Sequence, residues 1–506
     1  MAQESDRLLS PAIIMPTKML EFRAPSMALD PRSASDCRNV TIKNGILKKR
    51  TGFAAFSIDD AGNTNIPGRV TGLCQSPFGW DDDIVALSQN ATNTQYFLYD
   101  SDEDEWNSAD SEAQTAYSQL SWCPAVQSDG TEVIILADNL VRMKIWDNTQ
   151  AAVADKIANL TLNSDVLRAK VVRYYKGHLC LFNVGTYTTS WKQEKQRIQW
   201  TISADCEDID GGGSGSNYIY GRRGGHIVGA EEHADDMLIY CEHEIVRMTY
   251  IGGTTIFRFD PLVAKVGLAA QNAIANLGDR HLFLADDFTV QEFAGGLSCT
   301  PVGDPINTDI QTNIHKTYYY NSFFVVDKGL NEAWLFIPTT NETPDTVYVI
   351  KYGGCLEGYC WYKDSKDGLC GMEHDNWNVL VGTGTPTIDY YNHTATNDGS
   401  TAIDAYWDSI FFTLPQEPSR FMRAGEFRFE GKGGEDDTLS TYYRTTDGGT
   451  WTKIADHTLT TSFAYYHAPF DPGYARAIQF RFRNSTSGET FEIKWWQPVF
   501  LPKGAR

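Results

Sequence analysis

The residues most able to do chemistry in this chain are its clustered carboxylates. Glu231, Glu232 and His233, followed by Asp235 and Asp236, put acids and an imidazole in one short run. A calcium-type site needs oxygen ligands at fixed spacing and a glycine at the sharp turn, and this run has neither. It falls between the apolar stretches 227–230 and 237–241, where a solvated turn is expected. Asp81, Asp82 and Asp83 take the same reading, as do Asp102, Glu103, Asp104 and Glu105. Cys355, Cys360 and Cys370, with His374 nearby, invite a zinc reading, but the spacing lacks a CxxC knuckle. Cys241, Glu242 and His243 fall at the end of an apolar strand. The glycine-rich run 211–216 lacks the Lys-Ser/Thr and the following helix of a phosphate loop, so it reads as a flexible loop. No G-x-S-x-G or H-E-x-x-H occurs, and the histidines are dispersed. No motif marks a facing pair of carboxylates of the glycosidase kind. These residues assign no catalytic, cofactor-binding or metal site, and the expectation is a protein that is not an enzyme.

Any such residues must be positioned by strands. The chain has 506 residues, 42% of them hydrophobic and 12% aromatic, with 42 glycines, a balance that suits strands and tight turns. That length exceeds one ordinary domain of ~100–200 residues. Forty-three basic against 65 acidic residues give a net charge of −22, which argues against a protein that grips nucleic acid. No apolar run approaches the ~18 residues of a spanning helix, and none resembles a signal-peptide core. The ten cysteines end at residue 370, without the density of a disulfide framework, and point to synthesis in a reducing cytoplasm.

Asn44-Gly45 between residues 39–43 and 46–47 predicts a hairpin, since Asn-Gly supplies the two positive-φ positions of a type I′ turn. From residue 68 to 393 a loose repeat of roughly 45–55 residues offers a strand, a very apolar strand, and an alternating strand in each unit. The apolar middle strands suit sheets buried on both faces. The pattern predicts an all-β fold built on a β-propeller of about seven blades, within a range of six to eight. The polar stretch 394–401 reads as a linker. Beyond it, 426–429 and 477–483 alternate aromatic and charged residues strictly, as in a sheet with one wet face. The expected domains are an N-terminal docking segment with strands and a hairpin (1–67), the propeller (68–393) and a C-terminal β-sandwich (394–506).

Two resemblances follow. The run Thr445-Thr446-Asp447-Gly448-Gly449-Thr450-Trp451 is similar to the Asp-box of sialidases, a structural hairpin cap, and reads here as a hairpin turn. Several segments in order resemble the tail hub, or nozzle, proteins of short-tailed bacteriophages. They are Asp36 to Val40 followed by Gly45 to Phe53, with its Arg-x-Gly-Phe ending; Arg197-Ile198-Gln199-Trp200-Thr201; Met237 to Met248, then Phe257 to Phe259 and Gly267 to Ala269; and Leu282 to Phe288 with Pro301 to Ile306. The tryptophan that often follows the long loop of that family is missing near Asp208, Ile209 and Asp210. The resemblance implies a structural virion protein, assembled in the host bacterial cytoplasm and located in the tail. It implies a homo-oligomeric ring, usually a hexamer, below the portal and head-to-tail adaptor. It also implies a needle or plug and tailspikes or fibres as partners, and double-stranded DNA passing without sequence-specific binding or membrane insertion. The alternative reading is a propeller-type tail protein that binds or cleaves glycans.

Overall fold

The computed structural model describes residues 13–502 apart from 17, 57–65, 81–82, 102–103, 115, 151, 164, 220–224, 354–357, 375–377, 414–420 and 474. The fold is all-β, assembled from many small antiparallel sheets. Seven of these have four strands. The first runs through Arg69–Gln75, Ile84–Gln89, Asn93–Asp100 and Glu105–Ala113 as a simple meander. The next five open with Ser121–Val126, Leu167–Tyr175, Ile227–His233, Ile274–Asn276 and Phe323–Asp327, and repeat the same order. The seventh has only three strands of its own, Cys370–His374, Asn378–Gly382 and Ile388–Asn392. Its fourth is Gly52–Ala55, from the other end of the chain.

The second strand of each sheet explains its sequence. Ile84–Gln89 and Glu332–Ile337 are buried at every position, because sheets cover both of their faces. Separate apolar clusters fill the spaces between the earlier sheets, and one large cluster joins the later sheets to the rest of the molecule. Val85, Leu87, Ile134 and Leu136 lie between the first and second, and Leu179, Leu181, Val133 and Ile135 between the second and third. The seventh packs against the first through Leu380, Ile388, Val70 and Phe97.

Ten of the remaining strands form two five-stranded sheets stacked over an aromatic core of Trp407, Phe427, Phe429, Phe480, Phe482 and Trp496. The expected alternation is realised: Phe480 and Phe482 face inward, while Arg481 and Arg483 pair with Asp408 and Asp404 on the other face. Asp36–Arg38 joins one of these sheets, and the hairpin Val40–Lys43/Ile46–Lys49 joins the other. Asn44 and Gly45 take φ of 54° and 77°, as the Asn-Gly turn requires.

The N-terminal segment is therefore not a unit apart from the sandwich, as the boundary at residue 67 supposes. Its first strands complete the sandwich and its last completes the seventh sheet. Nor is 394–401 a bare linker. Asn397–Asp398 pairs with Thr401–Ala402, and Asp398 accepts two hydrogen bonds from Arg50, at 2.9 and 2.7 Å. Among the described residues no helix is long and apolar enough to cross a membrane.

Candidate functional site

The first strands of all seven four-stranded sheets converge on one cavity of about 530 Å³. Small residues let the strands approach. A Cβ on Gly72 would lie 2.2 Å from Leu120 Cβ, and one on Gly371 would lie 2.4 Å from Val325 Cγ2. Gly72→Ala is accordingly expected to cost about 1–3 kcal/mol through overpacking, read as a lower urea midpoint.

The charged part of the wall is Arg173, Glu231 and Glu232, with Asn276 beside them. Arg173 lies on Leu167–Tyr175, and its Nη2 and Nε donate to Glu231 Oε2 at 2.7 and 3.2 Å. Its Nη1 donates to Val172 O at 2.8 Å and to Ser121 Oγ at 3.3 Å. Asn276 donates to Glu231 Oε1 at 3.2 Å. Burial opposes charge on Glu231, but the Arg173 guanidinium prevails and holds its carboxyl below the usual range. Glu232 moves the other way, through burial and the charge of Glu231. Behind them His281 is buried between Tyr240 Oη and Glu232 O, each at 2.8 Å, and burial lowers its pKa.

This arrangement limits the chemistry. A carboxylate tied to a guanidinium is a poor base, and consecutive strand residues such as Glu231 and Glu232 project to opposite faces. They do not make two acids facing each other across a substrate. The pairing is structural in consequence. Glu231→Gln leaves a half-buried guanidinium without its counter-charge, with an expected loss of about 1–2 kcal/mol in chemical unfolding.

The run 231–236 thus departs from the solvated turn expected of it. Glu231, Glu232 and His233 belong to the strand Ile227–His233, and only Ala234 and Asp235 turn, Ala234 at φ 53°. Arg173 carried no sequence signal, because its partner lies 58 residues away. The glycine-rich run turns at residues 211–214 and enters the strand Gly215–Tyr218. Asp208 Oδ1 accepts the amides of Asp210 and Gly211 at 2.9 and 2.8 Å, so the chain's own carboxylate takes the donors an anion would use. Cys360 is disulfide-bonded, so it is not a zinc thiolate. Cys370 is buried, with its thiol 3.3 Å from Val70 O, and Cys355 lies outside the described residues. His374 is buried 3.5 Å from Asp83, while Asp81, Asp82, Asp102 and Glu103 lie outside the described residues. Asp104 accepts a hydrogen bond from Tyr99 at 2.7 Å, and Glu105 begins a strand. Cys241 is buried, Glu242 accepts the His226 amide at 3.0 Å, and His243 pairs with Asp286 at 2.7 Å. Asp447 and Gly448 turn the hairpin between Thr438–Arg444 and Thr452–Thr458, and the Arg444 and Arg481 guanidiniums stack on Trp451. Among the described residues no three His, Cys, Asp or Glu gather as metal ligands.

No protein-family model matches the chain, and no curated protein matches it. Among solved structures, a mutant family-29 carbohydrate-binding module complexed with cellulohexaose aligns over 24% of this chain and 73% of its own, at 12% identity and a TM-score of 0.15. An exo-β-1,3-galactanase from Phanerochaete chrysosporium with galactose aligns over 89% of this chain and 100% of its own, at 9% identity and a TM-score of 0.26. Likeness at these scores carries no argument about this chain's fold or activity.

Proposed function

We propose that the seven four-stranded sheets form a closed seven-bladed propeller, and that the chain is a structural tail-hub protein of a short-tailed phage. In this reading copies of it, six in number, ring a DNA channel in the virion tail below an adaptor and carry a needle or plug and spikes or fibres. The observation that carries the reading is the path of residues 36–55, where the resemblance to tail hubs begins. This stretch completes both sheets of the sandwich, then closes the seventh propeller sheet. Arg50, Gly52 and Phe53 sit at the crossing, so the Arg-x-Gly-Phe ending corresponds to the joint between the two parts. A conduit that transmits force needs such a stapled body more than it needs a reactive site.

The test is native mass spectrometry and low-resolution electron microscopy of the purified chain, alone and with a candidate adaptor. A six-fold ring around a channel of about 20–25 Å, wide enough for a duplex, is expected. A chain that stays monomeric with adaptor, or that hydrolyses a host polysaccharide, would overturn the reading. Six copies carry about −132 formal charges, and an acidic lumen repels phosphate. Lysines introduced into the lumen are therefore expected to slow genome ejection at low salt, and unchanged ejection kinetics would remove the charge argument.

A further inference from the structure

Away from the central cavity, the hairpin Val40–Lys43/Ile46–Lys49 presents two different faces. Val40, Ile42, Leu47 and Lys49 point into the sandwich, and the Lys49 ammonium caps Asn484 Oδ1 and Glu489 O at 2.8 and 2.9 Å. Thr41, Lys43 and Lys48 point the other way. They wall a second cavity of about 320 Å³, closed on its far side by Lys351, Tyr362 and Tyr391.

The charge of this cavity is opposite to that of the molecule. Lys43, Lys48, Arg50 and Lys351 line it against Glu332 and Asp364 alone, a formal excess of two positive charges in a chain of net −22. Two of the cations are spent. Arg50 is committed to Asp398, and Lys351 sits 3.2 Å from Glu332. The Lys43 and Lys48 ammoniums have neither a salt bridge nor a hydrogen bond among the described residues. Glu492, the acid next to Lys48 across the strand pair, is taken by Lys432 at 3.3 Å. The Lys48 ammonium is half-buried, and burial, then the neighbouring charges of Lys43 and Lys351, depress its pKa. A cavity lined by two ammoniums without acid partners among the described residues is arranged for a ligand that brings negative charge.

We propose that this cavity is an anion-binding site in which Lys43 and Lys48 hold a compact divalent oxyanion of the phosphate class. Lysines serve such groups as point charges, and a divalent anion matches the excess of two. The oxyanion can be free phosphate or the phosphoryl group of a phosphorylated sugar, and the test separates these sources.

The full-length protein is titrated calorimetrically with inorganic phosphate, glucose 1-phosphate and, as a monovalent control, acetate. Phosphate is expected to bind in the millimolar range or tighter, more weakly as salt rises, and to raise the melting temperature. Lys48→Met and Lys43→Met should each weaken binding roughly tenfold or more, while Lys192→Met, at an exposed site remote from the cavity, leaves it unchanged. Without ligand, Lys48→Met should melt higher than the parent, because the repulsion is gone. Lys43 is exposed, so its variant keeps the test interpretable if Lys48→Met folds poorly. Binding of phosphate but not glucose 1-phosphate assigns the site to the free ion, and equal binding of both assigns it to a phosphoryl group on a larger carrier. No binding to the parent protein, or equal binding to parent and both lysine variants, overturns the proposal.

Discussion

Replacing Arg50 with Met is expected to lower the stability of the chain by about 3–5 kcal/mol, the cost of breaking a buried ion pair from one side. Arg50 is 3% exposed. It donates to Asp398 through both terminal nitrogens, to Asn39 Oδ1 at 3.0 Å and to Thr51 O at 2.9 Å, and lies 3.5 Å from Asp364. Because it is spent on Asp398, it compensates Asp364 only in part, and Asp364 Oδ1 has no hydrogen-bond partner. Burial, with further contributions from Glu332 and Asp398, pushes the Asp364 carboxyl up to about 7 against the pull of Arg50. A folded-state value above the unfolded one, ~3.9, means that the fold prefers the protonated acid. Its contribution is fully present below pH ~4 and is lost as the pH rises through about 7. Urea unfolding across this range should therefore show stability drawn down with rising pH, and Asp364→Asn should flatten that slope. The Arg50→Met loss should be larger at pH 8 than at pH 5.5, since at low pH Asp364 escapes by taking a proton. A pH-independent loss would show that Asp364 is not part of this linkage.

Phe53→Ala should destabilise by a similar amount, about 3–5 kcal/mol, the range for removing a buried phenylalanine. Phe53 is buried on the strand that closes the seventh sheet, edge-on to Trp334 at 5.9 Å and Tyr391 at 5.3 Å, with the Lys366 ammonium 4.9 Å from its ring centre. Its backbone is held as well: its amide donates to Asp398 Oδ1 at 3.0 Å and its carbonyl accepts the Gly399 amide at 2.7 Å. The variant is expected to melt at lower temperature and to become cleavable by protease within 370–392, the sheet whose strand Ile388–Asn392 pairs with Gly52–Ala55. Phe53→Leu, which keeps most of the volume, should lose much less. Equal losses for the two would point to the backbone path, and not to the ring, as the closing element.

The second strands could be read as buried on both faces because runs such as Ile84-Val85-Ala86-Leu87 leave no polar face to present to water. The Asn44-Gly45 hairpin was legible because its turn geometry is local. The alternation of Phe480, Arg481, Phe482 and Arg483 announced a half-wet sheet for the same reason. The acidic run at 231–236 misled because a cluster of carboxylates in isolation looks solvated, and only Arg173 from a neighbouring sheet makes Glu231 a wall residue. The lysine cavity had no linear signature at all: Lys43 and Lys48 are ordinary hairpin residues until Lys351 is folded against them.

The sequence by itself determined the all-β class, the repeated strand units and the amphipathic C-terminal strands, since each follows from side-chain periodicity over a few neighbouring residues. Tertiary structure alone decided how residues 36–55 are shared between the sandwich and the seventh sheet. It also decided which acids meet which bases. Strand pairing between residues more than 300 apart, as between Gly52–Ala55 and Ile388–Asn392, is made by backbone hydrogen bonds that carry no residue code, and its register is set only when a particular face is buried.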